Sequence, residues 1–70
     1  MTKRAFEAAV KRYGLATIME AYRLNTEDGE GASTVAVYLG LRGTNAADCA
    51  INAGYYLHND AAAQSKYATV

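Results

Sequence analysis

The sequence predicts an all-α fold, a small bundle of three to four helices. Three observations carry that expectation. Apolar residues recur at spacings of three and four from Thr2 to Leu24, proline is absent, and capping signals open further helical runs at Asn45 and at Asn59–Asp60. The chain of 70 residues is read as a single domain with a thin core, in which many of the apolar side chains are alanine. A domain of this size buries only about 60% of its unfolded surface, so it gains from oligomerising and is expected to be dimeric. Its hydrophobic share of 51% is too high for a disordered chain.

The first helix is expected over about residues 2–24. Phe6, Val10, Tyr13, Thr17, Ala21 and Leu24 stack into one stripe, and Thr2 supplies an N-cap. Lys3 and Arg4 in the first turn oppose the helix dipole. Leu15, Ile18, Met19 and Tyr22 fall on the opposite face. A helix apolar on both sides needs two partners, and the second is most simply another copy of the chain. Those four residues are therefore assigned to a dimer or partner interface. Gly14 lies where the pattern changes, so two short helices bent at Gly14 form the alternative.

Residues 25–31, NTEDGEG, read as a polar, acidic loop. A helical hairpin follows over about residues 33–58. Its first half, Ser33–Leu41, alternates Val35, Val37 and Leu39 with Thr34, Ala36 and Tyr38, which also suits a strand. No second strand-like run exists to pair with it except across a dimer, so a short helix begun by Ser33 or Thr34 and ended by Gly40 is preferred. Asn45 followed by Asp48 starts the next helix, which buries Ala46, Cys49, Ala50, Ala53 and Leu57 and is weakened near its end by Gly54. Asn59 and Asp60 cap a last short helix over about residues 60–67.

The stretch Ala32–Ile51, ASTVAVYLGLRGTNAADCAI, resembles the helix-turn-helix of small phage repressors of the Cro family. With Ala32 as the first position, Ala36 stands where the two helices must approach and Gly40 stands in the turn. Leu39 and Leu41 flank that glycine, and Ala46 and Cys49 fall on the inner side of the second helix. The resemblance implies a DNA-binding reading in which Arg42, Thr44, Asn45 and Asn52 reach phosphates or base edges.

Charge argues the other way. Net charge is zero, but residues 1–24 carry Lys3, Arg4, Lys11, Arg12 and Arg23 against Glu7 and Glu20. Residues 25–70 carry Arg42 and Lys66 against Glu27, Asp28, Glu30, Asp48 and Asp60. An anionic partner prefers the first helix, where Arg4 and Lys11 share a face flanked by Arg12, and the supposed recognition helix has the wrong sign.

No residue set supports catalysis, and no metal, cofactor or small-molecule substrate is expected. His58 has only Asp60 close in sequence and is assigned to a helix C-terminus. Cys49 sits among alanines as a small hydrophobe, and a single cysteine implies a reducing compartment. Glu27, Asp28 and Glu30 lack the ligand spacing of an EF-hand loop. GEG and GLRG are too short to cradle phosphate. No apolar run approaches the ~20 residues of a membrane span and no signal-peptide core is present, so a cytoplasmic protein without membrane contact is expected.

Six tyrosines with no tryptophan and one phenylalanine suit contact with a partner, since tyrosine offers a rigid surface with a polar tip. Tyr55 and Tyr56 are adjacent and cannot both point inward. The chain is similar in size and style to small phage- or plasmid-encoded regulators that disable a host protein by occupying it. The expected function is therefore non-enzymatic: a homodimer that binds and inhibits a host protein in the bacterial cytoplasm. The alternative is a Cro-like DNA-binding regulator of transcription.

Overall fold

A computed structural model describes residues 1–67. They form five α-helices: α1 Lys3–Tyr13, α2 Leu15–Thr26, α3 Ala32–Leu39, α4 Thr44–Asn59 and α5 Ala61–Tyr67. No strand occurs among the described residues. The expected helical class holds, with more helices than the three to four predicted.

The extra helix comes from Gly14. The continuous helix expected over residues 2–24 is broken there, with φ 86° and ψ 149°, a backbone region that an L side chain rarely adopts. The Gly14 N–H still bonds the Val10 carbonyl at 2.9 Å, and α2 restarts at the next residue in a new direction. Thr2 caps α1 as expected, its Oγ1 accepting from the Ala5 N–H at 3.1 Å. The acidic loop is shorter than expected because α2 runs on through Thr26, whose hydroxyl bonds the Tyr22 carbonyl at 2.8 Å. Arg23 bonds Glu20 at 2.8 Å and Asp28 at 3.3 Å, and its hydrogen bond holds the Glu20 carboxyl below its ordinary range.

Ser33–Leu39 is helical, with Val35 and Ala36 buried, Leu39 half-buried and Val37 outward. The helix starts earlier than expected, at Ala32 after Gly31, and neither Ser33 nor Thr34 caps it. Gly40 ends it in the left-handed conformation, φ 65° and ψ 32°, and the Leu41 N–H reaches back to the Ala36 carbonyl at 2.9 Å. A Cβ on Gly40 meets nothing within 4 Å, so Gly40→Ala isolates the backbone cost. We expect a loss of about 1 kcal/mol, read as a lower denaturant midpoint at unchanged slope.

α4 is the spine of the molecule. It packs against all four other helices and so divides the core in two. Its first half meets α2 and α3 through Ala47, Ala50 and Ile51, against Ala21, Leu24, Val35 and Ala36. Its second half meets α1, α2 and α5 through Ala53 and Leu57, against Phe6, Ala9, Ile18 and Ala63. α2 therefore runs antiparallel to α4. The buried face is wider than expected: Ala47, Ile51 and Gly54 join Ala50, Ala53 and Leu57, while Ala46 and Cys49 are only half-buried. A helix that meets four neighbours needs a broad buried face with small residues in it. Gly43 rather than Asn45 precedes its first turn, and Gly54 lies well inside it. Asp60 caps α5 as expected, Oδ1 accepting from the Ala63 N–H at 2.9 Å.

Candidate protein-binding surface

The four residues assigned to an interface take different places. Ile18 is fully buried and packs in the second half of the core, so it is no interface residue. The stripe that looked surplus on a single helix is the one that faces α4. Leu15 is half-buried against the same cluster. Met19 stays exposed, and Tyr22 lies half-buried at the α2–α4 seam.

Gly54 sets that seam. A Cβ there would overlap the Tyr22 Cβ and stand 3.2 Å from the Ile18 carbonyl oxygen. The bare glycine lets α2 lie directly on α4, and the Tyr22 ring then stacks on His58 with centroids 3.9 Å apart and planes 12° apart. Tyr55 meets the same ring edge-on at 5.1 Å. Its hydroxyl donates to Asn25 Oδ1 at 3.1 Å, while Asn25 Nδ2 holds the Glu30 carbonyl at 2.9 Å. His58 Nδ1 donates to the Gly54 carbonyl at 2.9 Å, which fixes the ring and its tautomer. Met19 stands one turn before Tyr22, completing an outward group of Met19, Tyr22, Tyr55 and His58. Sequence reasoning found Met19 and Tyr22 but assigned His58 only to a helix end. The tyrosine excess was the one signal for the rest.

Tyr56 turns inward beside Phe6, with stacked rings 4.7 Å apart, and Tyr67 closes on Phe6 edge-on at 5.6 Å. A shallow cleft of about 170 Å³ lies over them, with Lys3, Glu7, Asp60 and Lys66 at its rim. Burial, with Asp60 and Glu7 nearby, pushes the Tyr56 hydroxyl up.

Arg4, Lys11 and Arg12 are exposed on α1, and none joins an ion pair among the described residues; Glu7 faces Lys66 at 3.9 Å. Arg42, Thr44, Asn45 and Asn52 are also exposed. The last three share the outer side of α4 with Asp48, which stands between the two asparagines. Among the described residues no three His, Cys, Asp or Glu side chains converge, and no helix is long and apolar enough to cross a membrane.

Comparison with protein-family models, curated proteins and solved structures gives no match.

Proposed function

We propose that this chain is a small non-enzymatic regulatory protein that binds another protein and inhibits it by occupancy, as phage-encoded inhibitors do to host proteins. The observation that carries this reading is the outward group of Met19, Tyr22, Tyr55 and His58. Tyrosine is among the few side-chain types that dominate the energy of protein interfaces, and methionine is enriched there. Here the rings are already held by stacking and by hydrogen bonds to Asn25 and Gly54, so docking costs little side-chain entropy. The unpaired cations of α1 add long-range attraction for an acidic partner.

The DNA-binding reading has one observation in its favour. Gly40 turns α3 into α4 through a left-handed residue, and Thr44, Asn45 and Asn52 lie along one exposed side of the second helix. Asp48 stands among them and α4 carries no lysine or arginine, so phosphate contacts would fall to α1 and Arg42.

A tagged chain is to be used for capture from bacterial cytoplasmic extract, beside a gel shift on duplex DNA. We expect a captured protein that survives moderate salt and is lost when Met19→Glu and Tyr55→Ala are combined. Tight duplex binding that weakens by orders of magnitude between ~50 and ~200 mM salt, and that depends on Arg42 and Asn45, would overturn the proposal.

A further inference from the structure

The cleft over Phe6 brings together residues that lie far apart in the sequence. Lys3 and Glu7 come from the start of α1, Tyr56 and Asp60 from the end of α4, and Lys66 and Tyr67 from α5. At about 170 Å³ it has room for one ring-sized group, since an apolar cavity of roughly 150 Å³ holds a benzene molecule. Its walls are aromatic. Tyr56 and Tyr67 are half-buried against the enclosed Phe6 ring, one stacked on it and the other edge-on. On the α5 side Ala62 and Ala63 line it with methyl groups only.

The rim already holds an ammonium. Lys66 Nζ stands 5.2 Å from the centre of the Tyr67 ring and 3.9 Å from Glu7 Oε2. The chain thus sets its own cation beside an aromatic face and a carboxylate, a favourable pair of neighbours for such a group. The arrangement is loose. The Lys66 side chain is 65% exposed, and an exposed ion pair holds little. Lys3 is exposed too, on a flexible stem that reaches water. The field inside the cleft is nevertheless negative. Burial first, and then Asp60 and Glu7, push the Tyr56 hydroxyl up, so at that point the carboxylates outweigh the two lysines.

We propose that this cleft binds a small organic cation, an arylalkylamine, whose ammonium takes the place of Lys66 Nζ. The ligand's ring enters against Tyr56 and Tyr67, and its ammonium faces Glu7 beside the Tyr67 ring. Lys66 swings out to water and gives up only a loose contact. A ring bearing a carboxylate has the right shape and the wrong sign, because it would meet Glu7 and Asp60. The site shares no residue with the group of Met19, Tyr22, Tyr55 and His58, so it stands or falls separately from the proposed capture of another protein.

The test is an NMR titration of the whole isotope-labelled chain at neutral pH with phenethylamine and, separately, with phenylacetate. The two probes carry the same ring and opposite charges. Phenethylamine should shift the amide signals around Glu7, Tyr56 and Ala62 saturably, with a Kd of about a millimolar. Phenylacetate should bind at least about tenfold more weakly. Glu7→Gln should weaken the amine about tenfold, and Lys66→Met should tighten it about threefold by removing the competing ammonium. Ala62→Leu, at an exposed position where leucine keeps a high helix propensity, should abolish binding by filling the cleft. No saturable binding of phenethylamine up to tens of millimolar would overturn the proposal. So would phenylacetate binding equally well, or amine binding indifferent to Glu7→Gln or to Ala62→Leu.

Discussion

Gly54→Ala should destabilise the protein by about 2–3 kcal/mol, a large share of the roughly 0.05–0.15 kcal/mol per residue that holds a small domain together. The sign is the informative part. At an unconstrained position inside a helix the same change stabilises by about 0.5–1 kcal/mol, because alanine loses less backbone entropy. Here the new Cβ would overlap the Tyr22 Cβ, lie 3.0 Å from its Cγ and stand 3.2 Å from the Ile18 carbonyl oxygen. The Tyr22 Cβ is fixed to its backbone and has no rotamer that avoids the contact. α2 must therefore lift off α4, thinning both halves of the core. Thermal melting followed by circular dichroism should show a fall of about 10–20 °C. An unchanged or raised melting temperature would mean that α2 and α4 do not approach at Gly54.

Ile18→Asp should leave the chain unfolded at every protein concentration. Ile18 is completely enclosed, within the cluster that holds Phe6, Ala53 and Leu57. An aspartate there either remains charged with no partner or is neutralised at a cost of several kcal/mol, on top of the lost packing. That exceeds what a domain of this size can lose. Circular dichroism read across a range of chain concentrations separates this from an interface role. A contact residue would give a folded monomer with native helical signal, and a native spectrum for the variant would return Ile18 to a surface between subunits.

The contrast at Ile18 shows which parts of the molecule local pattern can reveal. Caps are chemistry between neighbours, and Thr2, Gly40 and Asp60 act where their side chains or backbones indicate. Over Ser33–Leu39 the apolar spacing alone suits strand and helix equally, and it is the lack of a second strand-like run that points to the helix found there. What periodicity on one helix cannot show is how many neighbours that helix has. The Leu15–Ile18–Tyr22 side looked surplus because nothing nearby in sequence could cover it. The cover comes from Ala53, Gly54 and Leu57, more than thirty residues away, and from the absence of a side chain at Gly54. A missing Cβ gives no hydrophobic signal, so that glycine read as a weak point in α4. The same approach makes the aromatic group, since Tyr22 meets Tyr55 and His58 only after α2 has settled on the glycine.

The division of the core along α4 also bears on how the chain comes apart. The two halves share α2 and α4 and have little else in common, yet neither is a module that could be lent to another protein. Cutting between them would sever the two helices that both require. Opening is graded outward from that shared pair: α5, whose one buried residue is Ala63, is the element that detaches most readily, whereas parting α2 from α4 dissolves both halves together. The proposed partner surface is built on that inseparable pair. It therefore persists through partial openings at the periphery and vanishes only when the whole domain does.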